Sequence, residues 1–280
     1  MNTSLKIALT TLSLISLNTH CALAETDASS IFTGLKKTAE TAAFFGFATK
    51  TVVETETVDT FKAAYNMLGY KSFFHKNQAY GLNPDQIKQE QRDLPAVLFI
   101  HGNFHDDTAW VAAAKHLQKT NIPLFTVNLP AGDVGARDMD IVKKKWDEIV
   151  ELYHKAGADT HQLKIHLVGH SRGAYVIQEY LAQKETTQHL GDVVVMGLWW
   201  LGTAQDADVF FDKYPSLEGR IFRLNGKNDV LLSSTCSGEY SYLLGSTPFI
   251  LSENELRFDT GHVGLLYDTK VLAWMENWLK

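Results

Sequence analysis

Cysteine is scarce in this chain of 280 residues, which contains only Cys21 and Cys236. Cys21 lies in an N-terminal stretch with the pattern of a cleavable leader, described below. Once that leader is removed, Cys236 has no partner for an internal disulfide. It is then more typical of a small buried side chain than of a reactive thiol. The stability of the mature chain must therefore come from its apolar core.

The chain also lacks an excess of positive charge. It carries 26 Lys and Arg residues against 32 Asp and Glu residues, a formal net charge of -6, with the two signs interspersed. No basic surface for a phosphate backbone is evident, so we expect no nucleic-acid partner. Because 45% of the residues are apolar, the chain can bury a full core. A single α/β domain is the simplest expectation for this length.

The first 24 residues have the pattern of an export signal. Lys6 gives a short basic region, the stretch from Ile7 to Leu17 is apolar, and Ala22 to Ala24 fits the small-x-small cleavage rule. The apolar stretch is interrupted by Thr and Ser and is shorter than the ~20 residues that a membrane-spanning helix requires. We therefore expect cleavage after Ala24 and a mature protein in the periplasm or the extracellular medium.

Residues 25–93 are expected to form an extra N-terminal helical segment and a linker. The apolar spacing from Ile31 to Phe47 predicts one helix, and Val58 to Leu68 predicts a second that stops at Gly69. We favour packing of this pair on the main domain. The alternative is that the aromatic cluster Phe44 to Phe47 contacts lipid, which would give the protein a peripheral membrane contact. Residues 94–280 then form the main domain.

From Pro95 onward, short apolar strands alternate with amphipathic helical patterns. This alternation predicts an α/β fold with a mainly parallel sheet covered by helices on both faces. The predicted strands are Ala96 to Ile100, Leu124 to Asn128, Leu163 to Val168, Val193 to Leu198, Arg220 to Leu224 and Glu255 to Phe258. The predicted helices are Thr108 to Lys119, Asp138 to Lys155, Ala174 to Gln183 and Val263 to Lys280. Ligands of such sheets bind beyond the carboxyl ends of the strands.

Residues 169–173 read Gly-His-Ser-Arg-Gly and lie between a predicted strand and a predicted helix. A serine at such a turn, with glycine two residues away on either side, is the pattern of a nucleophile elbow. Side chains at Gly169 and Gly173 would collide with the incoming strand and the outgoing helix. The pentapeptide alone is weak evidence, and the alternative is a glycine-rich turn that binds nothing. His170 is expected to point away from Ser171.

The turn after the first strand offers a second part of a catalytic site. His101 and Gly102 would aim the backbone N–H of Asn103 at the same point as that of Arg172, and two convergent amides form an oxyanion hole. A metal site made of His101, His105 and a neighbouring Asp is the disfavoured alternative, because His101 falls in a turn. No other cluster of metal-ligand residue types is visible in the sequence, so we expect no metal.

Two further loops follow predicted strands and supply an acid and a base. Asp229 lies just past the fifth strand in a glycine-containing loop, and Asp206 and Asp208 are rivals for its role. A turn-forming aspartate is the ordinary alternative for such a loop. His262 lies in a glycine-flanked loop between the last strand and the last helix. The chain order Ser171, Asp229, His262 is that of the α/β-hydrolase triad.

On these motifs, residues 95–280 resemble the α/β-hydrolase fold esterases and lipases. The stretch from Gly261 to Tyr267, with Asn228 and Asp229 upstream, is similar to the small, lidless secreted bacterial lipases in particular. The chain departs from those lipases in its long N-terminal segment, in Gly169, where alanine is frequent, and in Arg172, where an apolar residue is common. The resemblance implies a serine hydrolase that acts on a small-molecule or lipid ester and needs no cofactor.

The acyl pocket is expected among apolar residues in or beside the strand-end loops: Phe104, Trp199, Trp200, Leu231 and Leu232. An ordinary core position is an equally good interpretation of each one taken singly. The same triad could also cleave a thioester, an amide or a peptide, because it does not select the leaving group. A non-catalytic binding protein on the same fold is the remaining alternative.

Overall fold

A computed structural model describes residues 81–103, 105–130, 134–183, 188–197, 212–213, 215–217, 219–227 and 255–280. The predicted leader, the predicted N-terminal helical pair and the predicted acyl-pocket residues lie outside these ranges. Within the ranges, no helix is long and apolar enough to cross a membrane. The described residues form one sheet with helices packed against it.

Six parallel strands form the sheet in the order β2-β1-β3-β4-β5-β6. Their bounds are β1 Ala96–Ile100, β2 Leu124–Val127, β3 Ile165–His170, β4 Leu190–Met196, β5 Ile221–Gly226 and β6 Glu255–Phe258. Every residue of β1 is buried, as expected for a strand covered on both faces. The strand predictions are confirmed, with shifts of one to three residues at several ends.

Helices cover both faces of this sheet. The described α-helices are α1 Val111–Leu117, α2 Ala136–Lys155, α3 Arg172–Gln183 and α4 Thr269–Trp278. Helices α2 and α3 pack together over one apolar core, and α1 and α4 pack together over a second. The predicted α/β architecture, a parallel sheet covered by helices on both faces, is therefore confirmed.

The sequence predicts a single helix from Val263 to Lys280, but the structure divides this segment into two elements. A 3₁₀ turn covers Val263–Leu266, and α4 begins separately at Thr269. The carboxylate of Asp268 accepts hydrogen bonds from the backbone N–H groups of Lys270 at 2.7 Å and Val271 at 3.1 Å. Asp268 therefore caps a new helix, because its side chain satisfies donors that would otherwise lack a partner.

Candidate active site

Ser171 lies at the apex of the turn between β3 and α3. Its φ of +52° is in the left-handed region, which costs a residue other than glycine about 1–2 kcal/mol. The Ser171 N–H donates to the carbonyl oxygen of Met196 at 2.8 Å, and its own carbonyl accepts from the N–H of Ala174 at 2.9 Å. The last residue of β4 and the first turn of α3 therefore hold the strained serine in place.

Glycines on either side of Ser171 are required by close backbone approaches. A Cβ on Gly173 would overlap the carbonyl oxygen of Ile100 and lie 2.7 Å from its carbonyl carbon. A Cβ on Gly169 would lie 2.7 Å from Cδ1 of Ile177 and 2.8 Å from the backbone nitrogen of Ala174. The predicted collision with the outgoing helix is therefore confirmed for Gly169, whereas the close approach at Gly173 is to the neighbouring strand β1 and not to the incoming strand.

Gly173→Ala is expected to destabilise the protein by about 3 kcal/mol or more, because the new methyl group meets backbone atoms that cannot rotate away. Gly135→Ala is the control, since a Cβ there would meet nothing within 4 Å and its φ of -159° is extended backbone. As Gly135 caps α2, the control should cost about 1 kcal/mol. Urea unfolding measures both, and equal losses would show that the elbow can relax.

The loop after β1 packs closely against Ser171. A Cβ on Gly102 would lie 3.0 Å from Cβ of Ser171. The buried ring of His101 anchors this loop, since its Nε2 accepts from the N–H of Leu129 at 2.8 Å. Nδ1 therefore carries the proton and donates to the carbonyl oxygen of Gly102 at 2.7 Å. Burial lowers the pKa of His101, which keeps this neutral form.

These two bonds argue against the metal alternative. Both ring nitrogens of His101 are engaged, so the ring has no lone pair to offer an ion. In the part of the chain that the structure describes, no group of three His, Cys, Asp or Glu side chains could hold a metal. Asn103, the predicted oxyanion donor, lies in the turn directly after Gly102.

His262 lies at the start of the 3₁₀ turn Val263–Leu266, and only 5% of it is exposed. Its ring covers Gly197, because a Cβ there would lie 2.9 Å from both Cε1 and Nδ1 of His262. Gly197 directly follows Met196, the residue whose carbonyl binds the Ser171 backbone. The fold therefore brings Ser171 and His262 together at the carboxyl end of β4.

Beside the elbow, Arg172 forms a buried ion pair with Asp138 of α2. The distance between the guanidinium Nη2 and the carboxylate Oδ2 is 2.6 Å, and the two side chains are 6% and 3% exposed. Oδ2 also accepts from the N–H of Gly135 at 3.0 Å, which caps α2. The residue that follows Ser171 is thus tied to the start of α2.

The family that the sequence matches agrees with this fold. A sequence model of the protein family described as alpha/beta hydrolase fold matches residues 95–235, half of the chain. The chain belongs to this family. No protein with a curated description matches the sequence. The solved structures that resemble the chain do so only distantly.

Three such structures show how low the similarity is. A Bacillus licheniformis lipase in its mature form is 15% identical, with 67% of this chain and 93% of that chain covered and a TM-score of 0.44. The Saccharomyces cerevisiae monoglyceride lipase, a soluble variant with a substrate analogue, is 12% identical, with coverage of 70% and 89% and a TM-score of 0.44. A Vigna radiata epoxide hydrolase is 11% identical, with coverage of 66% and 90% and a TM-score of 0.42.

The structure brings together four of the residues predicted for the hydrolase site: Ser171, Arg172, Asn103 and His262. The predicted acid Asp229 lies outside the described residues, as do its rivals Asp206 and Asp208. The predicted acyl-pocket residues Phe104, Trp199, Trp200, Leu231 and Leu232 also lie outside them. Their roles stay predictions.

Sequence reasoning missed two side chains at this site. The sequence indicated only that Asp138 begins a helix. Arg172 could have pointed to it, because a permanently charged side chain between buried elements requires a carboxylate partner. His170 was expected to point away from Ser171 and received no role. Its ring lies 4.8 Å from that of His262, measured between centroids, and is 1% exposed.

Asp138→Asn is expected to destabilise the protein by about 3 kcal/mol, since it removes one partner of a buried ion pair and leaves the other charge uncompensated. The double variant Asp138→Leu with Arg172→Met removes both charges and should lose less than the single variant. Urea unfolding of the three proteins measures the difference. A single variant as stable as the wild type would mean that the pair contributes nothing.

His170 is expected to make the stability of the protein depend on pH. Burial, and then the charge of His262, lower the pKa of His170 from 6.5 to about 3. Between these values the unfolded chain binds a proton that the folded chain does not, so stability is full above pH 6.5 and is lost toward pH 3. Between these two pH values, the free energy of unfolding that His170 contributes falls by up to about 1.4 kcal/mol per pH unit.

His170→Gln is therefore expected to flatten the acid dependence of stability. Urea unfolding at pH 7.5, 6.5, 5.5 and 4.5 measures the slopes, and the difference between the two proteins should be constant above pH 7 and shrink below it. Part of the slope should remain in the variant, because the pKa of the buried His101 is also lowered. Parallel curves down to pH 4.5 would show that His170 does not stay neutral when buried.

Proposed function

We propose that this protein is a serine hydrolase that cleaves carboxylic esters through an acyl-enzyme intermediate. The observation that carries the proposal is the strained Ser171, held against Gly102 on one side, with the buried His262 at the neighbouring strand end. A strained, pre-positioned hydroxyl beside an imidazole is what nucleophilic acyl transfer requires.

In the proposed first step, Oγ of Ser171 attacks the ester carbonyl while His262 takes its proton. The backbone N–H groups of Asn103 and Arg172 stabilise the oxyanion that forms. His262 then returns the proton to the leaving alcohol, the carbon–oxygen bond breaks, and the acyl group stays on the serine. Asp229 holds the imidazole in the required tautomer and stabilises its charged form.

In the second step, water replaces the alcohol. His262 removes a proton from the water as its oxygen attacks the acyl-enzyme, and the same amides stabilise the second oxyanion. Collapse of this intermediate releases the carboxylic acid and returns the proton to Ser171. The balance of atoms needs only ester and water, and no cofactor takes part.

The proposal extends to substrate and location. Phe104, Trp199, Trp200, Leu231 and Leu232 would line the acyl site, and the short segment from Gly202 to Leu217 would leave it without a lid. The leader predicted over residues 1–24 would export the enzyme to the periplasm or the medium. The predicted N-terminal helical pair would pack on the main domain, and a peripheral contact of the cluster from Phe44 to Phe47 with membrane lipid is the alternative.

Labelling with a fluorophosphonate probe tests the proposal. The mature wild type should be labelled, and Ser171→Ala should not be. Hydrolysis of p-nitrophenyl esters from acetate to palmitate should then show a chain-length optimum. Thioester and amide analogues cleaved faster than these esters would change the substrate class. Folded wild type that is never labelled would favour a non-catalytic binding protein.

A further inference from the structure

His170 connects the nucleophile to the loop that carries the base. Its main chain is the last residue of β3 and precedes Ser171 directly. Its side-chain Nε2 lies 3.0 Å from the main-chain carbonyl oxygen of His262. One residue therefore fixes Ser171 through its backbone and His262 through its ring.

The direction of this hydrogen bond follows from the partner. A carbonyl oxygen can only accept, so Nε2 of His170 carries a proton and donates it. Nδ1 has no hydrogen-bond partner among the described residues and lies 3.2 Å from the position of a Cβ on Gly102. The ring is thus a neutral Nε2–H tautomer, packed between the oxyanion loop and the base.

The neutral form of His170 suits its neighbour. A charged ring 4.8 Å from His262 would repel the imidazolium that forms each time His262 takes a proton. Because burial and the charge of His262 lower the pKa of His170 to about 3, the ring stays uncharged at neutral pH. The Nε2–H group of His170 can therefore donate its hydrogen bond without placing a positive charge beside the His262 ring.

We propose that His170 is a positioning residue, which sets the distance and angle between Ser171 Oγ and the His262 ring by holding the His262 main chain. The proposal rests on the ester-hydrolase function proposed above. It predicts an effect on the chemical step rather than on substrate binding, because a misplacement of about 1 Å in a catalytic group can cost ~10²-fold in rate.

A matched pair of amide variants tests the contact. In His170→Gln the amide nitrogen can reach the position of Nε2, whereas the shorter side chain of His170→Asn reaches only that of Nδ1. The Asn variant should lose ~10- to 100-fold in kcat for p-nitrophenyl acetate, with KM changed by less than about threefold. The Gln variant should recover most of this loss.

Stability is measured beside activity, so that a folding defect is not mistaken for a positioning defect. Both variants bury an amide in place of an imidazole, and circular dichroism with urea unfolding ranks them. If kcat follows stability rather than the reach of the amide, the proposal is wrong. If the Asn variant does not fold, His170→Leu, which also lacks the donor, takes its place in the comparison with Gln.

A double-mutant cycle distinguishes action through His262 from a general effect. The second-order rate constant for fluorophosphonate labelling is measured for wild type, His170→Asn, His262→Ala and the double variant. If His170 acts by placing His262, its substitution should change the residual rate by less than about twofold once the imidazole is gone. Losses that multiply fully would overturn the proposal.

The two proposals fail in different ways. Labelling that disappears in Ser171→Ala and falls to a low residual rate in His262→Ala, with wild-type kcat in His170→Asn, would overturn the positioning role and leave the ester hydrolase standing. Folded wild type without labelling or esterase activity would overturn both proposals.

Discussion

Ser171→Ala is expected to lower kcat for p-nitrophenyl esters by ~10⁴-fold or more. The substitution removes the oxygen that forms the acyl bond, whereas the amides of Asn103 and Arg172 remain to bind an oxyanion. Only the slow attack of water on bound ester would then persist. Initial rates with the ester of optimal chain length measure this loss, and the absence of probe labelling accompanies it.

Ser171→Gly provides the matched control. Both variants lack the hydroxyl, but glycine adopts a φ of +52° without strain and alanine does not. Glycine should therefore give the more stable of the two proteins, by about 1 kcal/mol in urea unfolding. If either variant kept more than a tenth of the wild-type kcat, Ser171 would not be the nucleophile.

Asp229→Asn should be the second largest loss, about 10⁴-fold in kcat. The amide keeps the size of the carboxylate, but it favours the wrong imidazole tautomer of His262 and cannot stabilise the charged ring. Asp229 lies outside the described residues, and its proposed role rests on its position just after β5, which ends at Gly226. Steady-state rates at pH 8 measure the effect.

Asp206→Asn and Asp208→Asn are the controls for this assignment. Both should stay within about threefold of the wild-type kcat, since neither is proposed to touch the imidazole. The opposite pattern, in which Asp229→Asn is nearly neutral and one of the other two is crippled, would move the acid to that residue. All three substitutions remove one negative charge, so net charge cannot explain a difference.

The fold was predictable because its signals are local. Most strands are short runs rich in apolar residues, and β1, Ala96–Ile100, is completely buried, as that pattern predicts. The elbow was predictable for a similar reason, since the two glycines and the serine that make the turn lie within five residues. The break at Asp268 was missed because apolar residues on both sides continue the helical spacing.

The side chains around Ser171 could not be predicted in the same way. Asp138 meets Arg172 across 34 residues of sequence, and His170 meets the main chain of His262 across 92. Both contacts depend on how α2 and the last loop lie over the sheet, and no spacing rule encodes that. A buried charge or imidazole next to a motif signals that some partner exists, but it does not say where the partner lies.

The order of the strands has a consequence for how the protein acquires its activity. Among the strands that the structure describes, no two form a hairpin, and the pairing of β1 with β3 joins Ala96 to Ile165. The chain between them must be closed into a loop before any pairing energy is gained, and parallel sheets of this kind fold slowly. The turns at Gly102 and Ser171 follow these two strands, so they meet only after that pairing forms. During refolding, probe labelling should therefore return no earlier than the closure of the central sheet.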